Sequence, residues 1–118
     1  MWRDNNDKIM DILANIETQN KELFPVVCPV CGEKDGHIYI HGNKKEDERG
    51  SMWVWCSACY HTAHAVYRLP KWWENSEKIS VEELTSLPDY LEKNKDCIDE
   101  WVNKLIFLNL SNKNDLQK

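Results

Sequence analysis

The sequence contains no apolar run that approaches the roughly 20 residues a helix needs to cross a bilayer. Its start has no basic region followed by an apolar one, so we expect no secretory signal and a cytoplasmic protein. Glycine is scarce, with four in 118 residues, and no glycine-rich phosphate-binding loop is present. No Ser-His-Asp pattern and no telling pair of carboxylates stands out. These absences predict a protein that spans no membrane and is not an enzyme.

Cysteine, in contrast, is arranged in a pattern. Five cysteines are present; Cys28 and Cys31 form one Cys-x-x-Cys pair, and Cys56 and Cys59 form another, with 24 residues between the pairs. An odd count fits a disulfide framework poorly, and paired cysteines in a reducing compartment are more often metal ligands. Zn²⁺ prefers four tetrahedral ligands, and a two-residue spacing lets one tight turn aim both sulfurs at the same ion. The pattern predicts one structural Zn²⁺ held by these four thiolates.

Other chemistries use similar cysteines. A dithiol redox centre needs one pair at the start of a helix, whereas neither pair here opens a convincing helix. A rubredoxin-type iron site also uses four thiolates, so the sequence separates iron from zinc poorly. A catalytic zinc keeps an open position, which four cysteines would close. His61 and His64 follow Cys59 and could replace a ligand or hydrogen-bond a sulfur, although ordinary strand residues are the favoured interpretation.

The sequence pattern predicts one α+β domain over residues 1–118. Residues 5–22 predict an N-terminal helix, capped by Asp4 or Asn5 and ended by Pro25. Its apolar stripe follows the i, i+3, i+4, i+7 spacing and consists of Ile9, Ile12, Leu13 and Ile16.

Residues 25–69 predict a three-stranded antiparallel sheet. Its strands are expected at residues 37–41, 51–56 and 61–69, with a polar hairpin loop at 42–50. Gly32 permits the positive φ that the turn after Cys31 often needs. His37 and His41 alternate on the first strand, and we expect them to be exposed rather than ligands.

Residues 80–110 predict C-terminal helices, followed by a polar tail at 111–118. Ser80 and Glu83 have the spacing of a capping box, and Pro88 suits the first turn of a further short helix. The last helix carries an apolar stripe of Cys97, Ile98, Trp101, Val102, Leu105 and Ile106. The unpaired Cys97 is predicted to be a small buried hydrophobe.

The runs CPVCG at residues 28–32 and CSAC at 56–59 resemble the zinc-ribbon fold group, and the resemblance covers about residues 25–69. It implies a ribbon that a bound metal ion stabilises. It implies little about function, because zinc ribbons occur in transcription factors, ribosomal proteins, enzymes and adaptors. The block WVWCSACYHTAH at 53–64 also resembles small bacterial zinc-ribbon proteins, some of which act as immunity proteins for secreted toxins. That second resemblance implies an inhibitor of a toxin.

The formal charge of −5 is unevenly distributed. Residues 74–100 carry 3 basic and 9 acidic groups, whereas residues 25–73 carry 6 and 5. Nucleic-acid-binding proteins usually show a basic patch, so the balance favours a protein partner with a basic surface, such as a basic toxin. The side chains expected to meet that partner are Glu74, Glu77, Glu82, Glu83, Asp89 and Glu92. We therefore predict a non-enzymatic, zinc-stabilised protein-interaction module of immunity or antitoxin type.

Aromatic residues leave an alternative open. The chain has six tryptophans, and the favoured interpretation places them in the core between ribbon and helices. A second interpretation exposes some of them as anchors for a protein partner. The alternative function is a nucleic-acid-binding zinc ribbon. The aromatic residues that could stack on bases there are Tyr39, Trp53, Trp55 and Tyr60.

Overall fold

A computed structural model of the chain describes residues 1–17, 23–42 and 49–116, with side chains up to residue 109. It contains one three-stranded sheet, made of β1 (Gly36–Gly42), β2 (Arg49–Cys56) and β3 (Thr62–Arg68). The strand order is β1-β2-β3, and both pairings are antiparallel. The structure therefore confirms the predicted α+β fold with a three-stranded antiparallel sheet.

Side chains of the central strand β2 alternate between two covered faces of the sheet. Trp55 pairs with His37 and Thr62, whereas its neighbour Val54 pairs with Ile38 and Ala63. Residues 52–56 are all buried, so both faces are shielded from solvent along this stretch. A strand that is buried on both sides cannot show the alternation of apolar and polar residues typical of a half-exposed sheet.

The N-terminal helix covers one face. It starts as a 3₁₀ helix, Asp7–Leu13, and continues as α1, Ala14–Glu17. The expected stripe is buried, and it comprises Ile9, Ile12, Leu13 and Ile16. The expected start and cap are wrong, because Asn6 caps the helix by accepting a hydrogen bond from Lys8 N–H at 3.0 Å. In a 3₁₀ turn residues i and i+3 align, which places Ile9 and Ile12 in one row. The expected end at residues 18–22 lies outside the described residues.

The C-terminal segment forms a short 3₁₀ helix, Val81–Glu83, then α2, Asp89–Lys93, and α3, Lys95–Leu116. Ser80 makes no capping hydrogen bond through its side chain, so the predicted capping box is not formed. The expected helix end near residue 110 is wrong, because α3 continues through most of the polar tail to Leu116; no glycine or proline interrupts residues 95–116. Within the described ranges, α3 and the other helices lack the combination of length and apolarity that crossing a membrane requires.

The apolar stripe of α3 is only partly as expected. Its buried members are Ile98, Val102, Leu105 and Ile106, whereas Cys97 and Trp101 are half-buried. Cys97 is therefore less buried than predicted, and its side chain borders a cleft beside Trp101.

The tryptophans belong to the core or its edge. Trp53, Trp55 and Trp73 are buried, and the other three are half-buried. Each buried indole has an internal acceptor: Trp53 Nε1 donates to Thr85 O, and Trp73 Nε1 donates to Ile40 O, both at 2.8 Å. A tryptophan can be buried at low cost only when its N–H finds such a partner. The favoured interpretation of the tryptophans, as core residues, is confirmed for these three.

Two valines on strands provide a test of the core. Val54 on β2 is fully buried, whereas Val66 on β3 is 74% exposed. We expect Val54→Ala to lower the free energy of unfolding by about 2–3 kcal/mol, because it removes two buried methyl groups. Val66→Ala should change it by less than about 0.5 kcal/mol. Urea titrations of the metal-loaded proteins measure both, and equal effects would contradict the burial described here.

Candidate metal centre

The first cysteine pair closes a tight turn around Cys28. Gly32 N–H donates to Cys28 O at 2.9 Å, and Val30 N–H donates to Cys28 Sγ at 3.3 Å. Gly32 has a φ of +83°, as predicted from its position after the second cysteine. Only glycine adopts this backbone conformation without steric cost, so Gly32 allows the turn to end and the chain to continue toward β1.

The second pair repeats this geometry at the end of β2. Tyr60 N–H donates to Cys56 O at 3.0 Å, and Ala58 N–H donates to Cys56 Sγ at 3.3 Å. Tyr60 stands where Gly32 stands in the first turn, and its φ is +63°. A non-glycine residue pays about 1–2 kcal/mol for this conformation. Sequence reasoning missed Tyr60, although the equivalence of the two pairs was a signal that could have identified it.

Two backbone contacts bring the turns together. Val26 and Gly36 exchange hydrogen bonds, which fixes the segment before the first turn against the start of β1. Ser57 N–H, inside the second turn, donates to Asp35 O at 3.0 Å. Because Gly36 also pairs with Cys56 in the sheet, both turns lie at the same end of the β1–β2 hairpin.

The four sulfur atoms consequently form a cluster. The Sγ atoms of Cys28, Cys31, Cys56 and Cys59 all lie within 4.8 Å of one another. The separation of Cys28 Sγ from Cys59 Sγ is 3.8 Å, and that of Cys31 Sγ from Cys56 Sγ is 3.7 Å. A tetrahedral ion with metal–sulfur bonds of ~2.3 Å places its sulfurs about 3.8 Å apart. The predicted ligands are thus brought together at the spacing that a tetrahedral thiolate site requires.

The burial of the four cysteines and the charge of their thiolates also favour the binding of a cation. Cys28 and Cys56 are buried, Cys59 is half-buried and Cys31 is exposed, so the cluster lies at the edge of the molecule. Burial raises the pKa of the Cys56 and Cys59 thiols, whereas at Cys28 burial is outweighed by backbone hydrogen bonds from Cys31 and Val30, so the pKa of Cys28 is lowered. Thiols whose pKa is raised are poor ligands until a cation replaces their protons, and a divalent ion supplies the charge that this replacement needs. Four thiolates would fill a tetrahedral shell and leave no open position for a substrate.

The two histidines near the second pair have different surroundings. His61 Nδ1 lies 3.3 Å from Cys59 Sγ, within reach of a hydrogen bond to that sulfur. His64 is exposed and stacks on Trp53, with ring centroids 4.7 Å apart. His61 therefore supports a ligand without belonging to the four-sulfur cluster, and His64 lies on the sheet surface.

His37 is buried, contrary to expectation, and joins a polar network. Its side chain packs between elements: Nδ1 lies 2.8 Å from Asp99 Oδ1 on α3, and Nε2 lies 2.8 Å from Ser57 Oγ. Burial raises the pKa of Asp99, and the hydrogen bond with His37 opposes that rise. His37 is buried because α3 packs on the face of β1 that carries its side chain. His41, also expected to be exposed, is half-buried.

The order Ser57, His37, Asp99 is that of a hydrolase triad, which sequence reasoning did not find. The three residues lie far apart in sequence, and only the fold assembles them. However, Ser57 Oγ also donates to Glu92 Oε2 at 2.8 Å. A hydroxyl has one proton, so His37 Nε2 is left as the donor to Ser57 Oγ, the reverse of the direction that activates a nucleophile.

The amides beside Ser57 are also engaged. Ser57 N–H donates to Asp35 O, and Ala58 N–H donates to Cys56 Sγ. These two groups therefore do not supply an oxyanion hole. The network is a set of fixed contacts that hold the second turn, and its geometry does not provide nucleophilic catalysis at Ser57.

The metal content of the chain is the first prediction from this geometry. We expect one Zn²⁺ per chain in the wild type and none in Cys56→Ser, because three thiolates bind the ion far less tightly than four. The matched control is Cys97→Ser, which removes the cysteine outside the cluster and should keep the ion. Native mass spectrometry with elemental analysis measures both. A folded wild-type chain without metal would falsify the site, and iron in place of zinc would correct its identity.

The hydrogen bond from His61 gives a second prediction. We expect His61→Ala to keep one Zn²⁺ per chain but to weaken its binding by about 10-fold, the effect typical of a lost partner of a metal ligand. His64→Ala should leave the affinity unchanged, since its ring contacts Trp53. Competition with a chromophoric chelator measures the dissociation constants. Loss of the ion from His61→Ala would mean that the histidine is itself a ligand.

Comparison of the chain with protein-family models, with curated proteins and with solved structures finds no match. The resemblance to zinc ribbons therefore rests on the two cysteine turns and on the sheet that joins them.

Proposed function

We propose that this chain is a zinc-stabilised protein-interaction module without enzymatic activity, and that it acts as an immunity- or antitoxin-like inhibitor of a basic protein. The observation that carries the proposal is an acidic, partly apolar C-terminal segment that packs on the sheet bearing the four-cysteine cluster. We assign the ion as zinc, because four thiolates in a tetrahedron suit a structural Zn²⁺. Such an ion undergoes no redox reaction and needs no open coordination position. The toxin partner is supported only by the resemblance of residues 53–64.

The acidic segment, residues 74–100, separates into internal and external carboxylates. Asp99 and Glu92 belong to the His37 network, so they are engaged inside the protein. The expectation that Glu92 meets the partner is therefore wrong. Asp89 is exposed but accepts a hydrogen bond from Trp2 Nε1 at 2.7 Å. The other carboxylates of the segment are exposed, and they are Glu74, Glu77, Glu82, Glu83, Asp96 and Glu100.

Exposed aliphatic residues lie among these carboxylates. Val81 is 55% exposed and Leu87 is 46% exposed, on either side of Glu82 and Glu83. Protein interfaces combine an apolar centre with a charged rim, and this stretch offers both. The tryptophans give less support to the second interpretation, in which they anchor a partner, since all six are buried or half-buried.

The burial of aromatic residues also weighs against the nucleic-acid alternative. Tyr39, Trp53 and Trp55 are buried, so their rings offer no face to a base. Tyr60 is half-buried and packs edge-on against Trp2, with ring centroids 5.5 Å apart. Stacking platforms for single-stranded nucleic acid require exposed rings in a basic groove.

Electrostatics favours a basic partner. Four thiolates with one divalent ion bring the formal charge from −5 to about −7. Such a field accelerates the encounter with a positively charged protein and repels phosphate. An inhibitor must bind its toxin before damage occurs, and rapid association is what charge complementarity provides.

The test is capture of the partner with the tagged protein from its native lysate, with and without nuclease, followed by binding of the purified pair. We expect a stoichiometric basic protein that survives nuclease treatment. The variant Glu82→Gln/Glu83→Gln should lower the association rate at least several-fold at low salt, with a smaller effect at high salt.

The matched control is Asp11→Asn/Glu33→Gln, which removes two exposed carboxylates outside the acidic segment. It should slow association less, although the net charge changes equally. Equal slowing by both double variants would show that only net charge matters. Recovery of nucleic acid, with protein partners lost after nuclease treatment, would instead support the alternative function.

A further inference from the structure

We propose that Ser57, His37, Glu92 and Asp99 are positioning residues of the metal centre, which couple the binding of the ion to the docking of α2 and α3. None of the four contributes a sulfur to the cluster. Their network joins the second cysteine turn to both C-terminal helices, and the inference holds whatever partner the chain binds.

On the side of the metal, the network ends in Ser57, between Cys56 and Cys59. The Ser57 hydroxyl contacts His37 Nε2 and Glu92 Oε2, each at 2.8 Å, and its N–H donates to Asp35 O. Both the side chain and the backbone of Ser57 are therefore held. A residue fixed in this way inside a two-residue spacer restrains the directions in which the flanking sulfurs point.

On the side of the helices, the network ends in two carboxylates. Glu92 on α2 accepts hydrogen bonds from Ser57 Oγ, from Trp55 Nε1 at 2.8 Å and from Lys95 Nζ at 3.3 Å. Asp99 on α3 contacts His37 Nδ1 through both oxygens, at 2.8 and 3.0 Å. One turn of the metal site is thus connected to two successive helices.

Burial makes these contacts interdependent. His37 is 2% exposed and Asp99 is 7% exposed, and the imidazole ring stacks on Trp55 with centroids 5.2 Å apart. A buried polar group that loses its partner pays its full desolvation cost, so the network is stable only when it is complete. If the ion orders the second turn, it also completes the network and favours the docked helices. Coupling of this kind is reciprocal, so the helices must favour the ion equally.

Reciprocity gives the experiment. Ser57→Ala cuts the network on the side of the metal, and Glu92→Ala cuts it on the side of the helices. Zinc affinity is measured by competition with a chelator, and the cobalt–thiolate absorption spectrum reports whether the four sulfurs remain ligands. We expect each variant to bind Zn²⁺ about 10-fold more weakly with an unchanged type of spectrum. The double variant should lose little more than either single one, because both cut the same network.

Three controls separate coupling from general loss of stability. Ser86→Ala and Glu100→Ala make the same substitutions at exposed positions outside the network and should keep wild-type affinity. Val54→Ala removes a buried apolar side chain of β2, on the sheet face opposite Trp55, and leaves the network intact. The proposal is overturned if Glu92→Ala keeps wild-type affinity, if Val54→Ala weakens binding as much as the network variants, or if the effects of the two network variants add in full.

Discussion

Four sulfur atoms lie within 4.8 Å of one another, the spacing that a tetrahedral cation requires, and the other elements of the fold are arranged around this constraint. Because each pair of sulfurs comes from one tight turn, both turns have to meet at the same end of the β1–β2 hairpin. That requirement fixes the backbone at Gly32 and Tyr60, the two residues with positive φ just after the cysteine pairs. The strain at Tyr60 is offset by the repeated hydrogen bonds of the turn and by packing against Trp2.

A sheet of three strands is too thin to make a core alone, so the chain covers it on both sides. The N-terminal helix supplies an isoleucine row for one face, and the C-terminal segment supplies acceptors for the tryptophans of the other. The same segment, residues 74–100, carries 9 of the 20 acidic residues but only 3 basic ones. Carboxylates that face inward, Glu92 and Asp99, serve the fold, while those that face outward remain available to a partner. Residues 74–100 thus contribute inward-facing carboxylates to the fold and exposed carboxylates to the surface.

Local patterns predicted the parts of the structure that depend on neighbours in the chain. The Cys-x-x-Cys pairs identified the sulfur cluster because two-residue spacers act within one turn. The positive φ of Gly32 and the apolar row at Ile9, Ile12 and Ile16 were predicted for the same reason. Helix ends were predicted less well: Asn6 rather than Asp4 or Asn5 forms the first cap, and α3 continues past residue 110. Several polar residues compete for such a position, and packing decides between them.

Residue type and short spacing were enough to predict the four clustered cysteines, the three strands between and beyond them, and the acidic balance of the C-terminal segment. Packing of the helices across the sheet determines that His37 is buried, that its ring connects Ser57 to Asp99, and that Ser57 donates to Glu92. These contacts connect residues that are up to 62 positions apart, as for His37 and Asp99. No local pattern encodes such a contact, because it depends on how the helices pack across the sheet.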